Sequence, residues 1–448
     1  MNPKNYGKIL VLAVCFSLAS CYKILIGTSF ASPSHLIPLA TLAEELIARG
    51  HQITFVLPKE FSVIPQEAKK LILAKAANPT AVFGSKADLT LWQMMSMFAS
   101  SSSDNCEYVS SDKQLKKHLN SATYDLAIVS TINQECLLVT IRQYQKNIPF
   151  IMYHPGFPMS SMIAKVTGIS VWDAAYNPGA PQDSTEIMKF EERFVNFFIR
   201  LLMSALFNAI GIPNNRILTR NLGPEHEDAN NIQSNASFLF ISSNFEFDYP
   251  VPNDTRHYHD WLSSMPTTQA SSKSHPNTKV IISHGGFMTL QETIYHGVPY
   301  LGLPIHGSKS DRKRNIRLAE YRGIGRKLDF DNLTKEDITE KLHDLVNNKR
   351  YRENAKRISG YMKDQMFTPK ERAVFYTEYA IRHHGAEHFK SYARNLTFVQ
   401  IHSIDVISFI LICAFLLLGI FYLIVKFTFK TSRCIFRFFF KSKKTKVH

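Results

Sequence analysis

A chain of 448 residues, 45% apolar and 20% charged, is long enough for two or three domains and apolar enough to bury true cores. Its formal charge is +15, but residues 426–448 hold eight cations (Lys426, Lys430, Arg433, Arg437, Lys441, Lys443, Lys444 and Lys446) and no acid, which leaves +7 for everything before them. The basic balance is therefore mainly a topology signal, and no nucleic-acid partner is expected.

Residues 1–21 place Lys4 and Lys8 before an apolar run, Ile9–Phe16, and then small residues. That is the layout of a secretory signal cleaved near Ser20. A buried first strand is the competing reading, but a better strand candidate, YKILIGTSF (22–30), follows at once. After the turn ASPSH, Leu36–Arg49 has helical apolar spacing and is closed by Gly50; QITFVLP (52–58) is the next strand. Strand–helix–strand with short loops opens a doubly wound α/β domain. Further strands are expected at 124–130, 148–154 and 238–244, within an amino-terminal domain over 22–262. ASSSSD (99–104) is low in complexity. Residues 186–211, rich in Phe, Leu and Met, are helical; few and mixed charges favour core or interdomain packing over a place on a membrane surface.

A polar linker over 263–277 precedes a second βαβ unit: KVIIS (279–283), a glycine turn, a helix to about His296, and YLGLP (300–304). With RKLDF and helices across 334–390, this part (278–395) offers three convincing strands, against five or more in the first. A lone three-stranded parallel unit leaves sheet edge uncovered. Val406–Val425 is uncharged over 20 residues, long enough to cross a hydrocarbon layer of roughly 30 Å. The basic tail, 426–448, then belongs in the cytosol, where it can also attract anionic headgroups. Its last residues, Lys444-Thr-Lys446-Val-His448, fit the K-x-K-x-x pattern of retrieval to the endoplasmic reticulum, although a stop-transfer flank needs only the charge. Sequons at Asn235, Asn253, Asn332 and Asn395 agree with a luminal body; Asn78 is excluded by Pro79. The expectation is a single-pass endoplasmic reticulum membrane protein. Cys106 and Cys136 lie clearly in that body and can pair in an oxidising lumen. With no C-x-x-C and no H-E-x-x-H, no metal is expected.

The most informative stretch is SHGGFMTLQETIYHGVP (283–299). A strand ends at Ser283, and His284, Gly285 and Gly286 turn the chain into a helix. Ligands of open α/β sheets sit beyond the carboxyl ends of the strands. Glycines let backbone come close, and a helix N-terminus offers amides and roughly half a positive charge. Together these suit a diphosphate. His284 and Thr289 can each add a hydrogen bond, and Glu292, about one turn further on, can accept both hydroxyls of a ribose. For HGG alone, a plain glycine turn is the better reading; Glu292 at its spacing and the closing HGVP shift the balance.

HGGFMTLQETIYHGVPYLGLP resembles the signature of UDP-glycosyltransferases of the UDP-glucuronosyltransferase type, and the likeness covers most of the chain. SHLIPLATLAEELIARGHQITFV resembles the family's acceptor-side helix, and residues 368–391 resemble its envelope helices. The resemblance implies a GT-B fold: α/β, two Rossmann-like domains facing a cleft, plus one transmembrane helix. It implies a UDP-sugar as donor substrate, no resident cofactor or metal, a small lipophilic acceptor, and pairing with itself or with family members. His35, sixteen residues before His51, falls at the family's catalytic base, which deprotonates an acceptor hydroxyl for inverting attack on the anomeric carbon. Physical chemistry agrees: Ser34 can cap the helix that His35 opens, and the dipole keeps that ring neutral. His284, Gly286 and Thr289 match the diphosphate positions, and Glu292 the ribose position. Met288 stands where many members carry asparagine.

Three departures matter. Where the family orients its histidine with a carboxylate, this chain has Ser130; Glu135, from the loop, is the candidate substitute, and Asp125 reads as structural. The family's Asp-Gln pair for the donor sugar is matched only by Asp311-Arg312. Arg312 can clamp a uronic carboxylate or be a solvated charge in DRKRN. Last, Trp261 leads through the polar linker straight to His275, with no Trp-x-Pro-Gln uracil platform, so the front of the donor domain is missing. Two functions follow: a transferase of glucuronic acid or glucose, or an inactive, truncated member that partners intact relatives.

Overall fold

The computed structural model describes residues 21–30, 32–76, 91–156, 166, 185, 187–243, 247–248, 275–304, 311–390 and 392–442. The signal, most of the 263–277 linker, Trp261 and the last six residues, with their retrieval pattern, lie outside them. The residues up to 395 and those from 396 onward form separate compact units.

The apolar runs become parallel strands. β1 (Lys23–Gly27), β2 (Gln52–Leu57), β3 (Lys69–Ile72), β4 (Leu126–Ser130), β5 (Phe150–His154) and β6 (Phe238–Ile241) form one sheet in the order β3-β2-β1-β4-β5-β6, the dinucleotide-fold order. β3 was not expected; its Lys69-Lys70-Leu71-Ile72 run is too short and too charged to read as a strand, and pairing with β2 makes it one. Side chains alternate between two cores, as strand geometry requires. Ile24, Ile26, Phe55, Ile128, Ile151 and Phe240 face one core; Leu25, Val56, Ala127, Val129, Met152 and Ile241 face the other.

α1 (Pro33–Ala48) covers the first face together with α10 (Pro369–Arg382). The second face is covered by α2 (Leu91–Ser111), α3 (Lys113–Ser121) and α4 (Glu135–Tyr144), with Leu218 of α5 (Phe190–Leu222). α10 thus belongs to the first core although it lies at the end of the chain's second stretch. An ion cluster reinforces the contact: Glu378 of α10 meets His51 at 3.2 Å and Arg49 at 3.6 Å, and Lys370 meets Glu45 at 2.8 Å. A disulfide joins Cys106 of α2 to Cys136 of α4, with 5.1 Å between the α-carbons.

ASSSSD, set aside above as low complexity, is the middle of α2. Positions 95, 98, 102, 105 and 109 recur at helical spacing, but two of them are Ser102 and Asn105, so hydrophobicity alone did not show the period. Ser102 meets α5, where Asn214 Nδ2 donates to its Oγ at 3.1 Å, while Asn105 Nδ2 donates to the Asn133 carbonyl at 2.6 Å. The core packing expected of 186–211 is realised on one arc of α5 only.

The second sheet has three parallel strands in the order β7-β8-β9: β7 (Ile281–Ser283), β8 (Tyr300–Gly302) and β9 (Gly325–Lys327). α6 (Phe287–Tyr295), α7 (Asp311–Tyr321) and α9 (Lys349–Lys363) pack around Tyr300, while Leu301 faces Leu328, Leu345 of α8 (Lys335–Asn347) and Tyr351. A buried ion pair, Arg314 to Asp248 at 2.6 Å, ties α7 to the segment after β6. Asp329 accepts from the Asp331 amide and the Asn332 side chain, and Thr334 caps α8, so DFD is turn and cap chemistry. In the carboxyl-terminal unit, a short α11 (Phe398–Ile401) leads into α12 (Ile404–Ser442), a transmembrane helix by length and composition. α12 does not stop at Val425; helix continues through most of the basic tail, since Lys, Arg and Phe are compatible with helix and no Pro or Gly intervenes.

Candidate active site

In the first sheet the strand order reverses between β1 and β4, and the crevice beyond their carboxyl ends is the expected place for a ligand. The loop after β1 enters α1 through Ser32, the N-cap, with Pro33 at the first helical position. Ser34 is therefore not the cap: it sits inside the first turn, its Oγ 2.9 Å from that of Ser32, and neither closes a side-chain cap. His35 is the third helical residue, and its amide donates to Ser32 O at 3.0 Å. Its Nδ1 is buried and finds no hydrogen-bond partner among the described residues. Burial lowers the ring pKa to about 4, so the imidazole is neutral at pH 7 and able to take a proton. Thr28 Oγ1, just after β1, is likewise buried without a partner.

Glu135 does not reach His35 Nδ1. It opens α4 and accepts from Gln233 Nε2 at 2.9 Å. The residue that enters the crevice wall is its neighbour, Gln134, which sequence reasoning passed over. Gln134 Oε1 accepts from the Ser29 amide (2.9 Å) and hydroxyl (2.7 Å), while Nε2 donates to the Ile132 (3.1 Å) and Phe30 (3.4 Å) carbonyls. It staples the loop after β1 to the loop after β4. Ser130 Oγ accepts from the Ile132 amide at 3.4 Å, and Asp125 Oδ2 accepts from the Lys23 amide at 2.7 Å at the other end of the strand, a structural role. Phe30 and Ile132, with Phe98 and Tyr108 of α2 against them, make an apolar patch in these loops.

The second crossover has the geometry of an anion cradle. Gly285 has φ +93°, and a β-carbon there would come within 2.7 Å of the Arg312 carbonyl oxygen, so only glycine fits. Its amide donates to the Tyr300 hydroxyl at 3.0 Å, and its carbonyl accepts from Asn315 Nδ2 at 2.9 Å. The Gly285 amide is thus already occupied. Gly286 is the N-cap of α6, and the first turn, Phe287, Met288 and Thr289, has no side-chain cap. The imidazole of His284 lies against Gly286: a β-carbon there would sit 2.8 Å from His284 Nε2. Burial and the nearby Arg312 guanidinium lower the His284 pKa, against a smaller opposite pull from Asp311, so this ring is a neutral hydrogen-bond donor. Thr289 and Glu292, three apart on α6, share a helix face.

Asp311 and Arg312 are brought to the same turn. Asp311 Oδ2 accepts from Asn315 Nδ2 at 3.1 Å, the group that also holds the Gly285 carbonyl, and burial raises its pKa. Asp311 therefore braces the turn through Asn315. Among the described residues no cluster of three or more His, Cys, Asp or Glu side chains gathers as for a metal ion.

A six-stranded doubly wound sheet and a three-stranded parallel sheet, each packed with helices, fit the α/β architecture of the GT-B fold. Solved structures share that fold: the calicheamicin glycosyltransferase CalG4 (TM-score 0.52, 13% identity, 81% of this chain and 99% of that one) and the glycotransferase of kitacinnamycin (0.51, 14%, 81% and 99%). The model of the family described as UDP-glucoronosyl and UDP-glucosyl transferase matches residues 7–258 and 253–446, and the chain belongs to this family. Among curated relatives, UDP-glucuronosyltransferase 2B23 of Macaca fascicularis is 26% identical over 505 residues, and UDP-glucuronosyltransferase 2B7 of Homo sapiens 25% over 500, each match covering 90% of this chain and 93% of the relative. The chain is thus a glycosyltransferase of the UDP-glucuronosyltransferase kind. Since 90% of 448 residues is about 403, roughly a hundred of the 505 aligned positions have no counterpart here. The family match also breaks into two pieces near residue 255, in the stretch just before the linker.

Proposed function

We propose that this protein moves glucuronic acid or glucose from a UDP-sugar to a hydroxyl of a small lipophilic acceptor, with inversion. The observation that carries the proposal is the uncapped first turn of α6 behind a turn that only glycine can make, with a neutral His284 beside it. The amides and the helix dipole hold the diphosphate as it accumulates charge on leaving. His284 and Thr289 donate to it, Glu292 accepts from the ribose, and Arg312 is the candidate clamp for a uronic carboxylate. His35 takes the acceptor proton; held neutral by burial, it works without a carboxylate neighbour, as a weaker base than a paired histidine. The body is luminal in the endoplasmic reticulum and the basic tail cytosolic. The three sequon asparagines within the described residues, Asn235, Asn332 and Asn395, are all exposed and open to glycosylation.

A second reading is favoured by one observation. Among the described residues β7 pairs only with β8, and Ile282 on it is 54% exposed. An inactive chain would use such an edge to pair with an intact relative. Turnover of UDP-glucuronic acid and UDP-glucose by purified full-length chain separates the two. Release of UDP with an acceptor present, abolished in His35→Ala, supports transfer. Neither turnover nor UDP binding leaves only the partner reading, and turnover unchanged in His35→Ala removes the base assignment.

A further inference from the structure

The loops beyond β1 and β4 hold a polar pair that the transfer chemistry does not use. α5 buries a largely polar arc that includes Asn196, Arg200, Ser204 and Asn214, and α2 buries Ser101, Ser102, Asn105 and Ser110. Two of these α2 residues are matched by α5: Ser102 accepts from Asn214 at 3.1 Å and Ser110 from Asn221 at 2.9 Å. Asn105 differs. Its Nδ2 donates to the Asn133 carbonyl at 2.6 Å, in the loop after β4, but its Oδ1 is buried and finds no hydrogen-bond partner among the described residues. Asn133 repeats the pattern: its own Nδ2 is buried and unpartnered, and its backbone is left-handed, with φ +58°. A buried amide oxygen and a buried amide N–H left unmatched each cost more than a made hydrogen bond returns. Native structures keep such groups where something else pairs with them.

We propose that Asn105 and Asn133 recognise a second hydroxyl on the sugar acceptor, so that the preferred substrates are lipophilic diols. The inference rests on the transferase reading: one hydroxyl goes to His35 and the other to the asparagine pair. The hydrogen bond from Asn105 to the Asn133 backbone keeps the two residues together, one offering an acceptor and the other a donor. A hydroxyl satisfies both, accepting from Nδ2 and donating to Oδ1, whereas a ketone or an ether only accepts and leaves Asn105 Oδ1 unmatched. The surroundings suit an apolar skeleton. Ile132, next to Asn133, and Phe30 form the patch against which Phe98 and Tyr108 pack. Phe98, Asn105 and Tyr108 recur on α2 at helical spacing and so share one face, with the asparagine between the two aromatic residues. Gln134 fixes this wall by donating from Nε2 to the Ile132 and Phe30 carbonyls. An apolar wall with a few placed polar groups selects ligands by those groups, and a site built for a hydroxyl rejects the analogue that lacks it.

The test uses the full-length chain in detergent micelles and measures binding by titration calorimetry beside turnover of UDP-glucuronic acid and UDP-glucose. The probes are positional isomers of dihydroxynaphthalene and dihydroxybiphenyl, each with its monomethyl ether, which keeps the skeleton and one reactive hydroxyl and removes one donor. At least one diol should bind about tenfold more tightly than its own ether. Asn133→Gly, which suits the left-handed backbone and removes the amide, and Asn105→Ala should each bring that ratio to near unity; circular dichroism reports whether each is folded. Ratios near unity for every pair in the parent chain overturn the proposal and assign the two amides to ordered water. A ratio that survives in either folded variant overturns it too, since recognition then lies elsewhere. Preference for a diol without any transfer upholds the site and removes the transferase reading, whereas transfer without the preference does the reverse.

Discussion

In the six-stranded sheet β4 runs between β1 and β5, and all five of its residues are buried. In the three-stranded sheet β7 has one neighbour among the described residues, and none of its three residues is fully buried. Both strands feed a crossover that carries candidate chemistry. They differ in what stands behind that chemistry: two continuous cores on either side of β4, two small clusters around β8 for the other sheet. The lesson is that a turn can keep its local geometry beside a strand with a single neighbour among the described residues, because Gly285 is held by Tyr300 and Asn315 and packed against Arg312, all C-terminal to it.

The largest expected effect comes from cutting the tie between the two regions. Asp248→Ala leaves the Arg314 guanidinium buried without its carboxylate, a loss of about 3–5 kcal/mol, and the urea midpoint should fall accordingly. Equal midpoints would mean that the second region is stable by itself. Next is Cys136→Ala, which opens a covalent loop with a sequence separation of 30. Loop entropy predicts about 3–4 kcal/mol, confined to the six-stranded region and readable by hydrogen exchange of β4 and α4 amides. Gly285→Ala forces a side chain into the left-handed region, at a cost of about 1–3 kcal/mol. It should weaken UDP binding, measured by titration calorimetry, while leaving exchange in the first sheet unchanged.

A further prediction concerns pH. The unfolded chain's histidine takes its proton near 6.5 and the folded His35 only near 4. Between those values the unfolded state binds more protons, so the stability this group contributes is full above pH 6.5 and is lost as pH falls toward 4. Urea midpoints at pH 7 and 4.5 should differ less in His35→Gln than in the parent. The acid limb of turnover should likewise lie well below the ordinary imidazole range.

Much of this was legible beforehand. Buried parallel strands announce themselves as apolar runs bounded by turns, and the HGG turn carries its helix and glutamate at fixed spacing. What escaped notice was chosen by tertiary context. β3 is a strand only because β2 offers an edge. The helical period of α2 is hidden by serines that face α5, and the arc of α5 that faces inward is the polar one. Around His35, spacing from His51 singled out the candidate base, but no spacing rule indicated that Gln134 would join the loops after β1 and β4 while Glu135 turned to Gln233.

The most direct measurement is amide hydrogen exchange of the full-length chain with and without UDP. Binding at the helix N-terminus predicts protection confined to residues 284–292. Protection elsewhere, or none under conditions where the chain turns over a UDP-sugar, would contradict it.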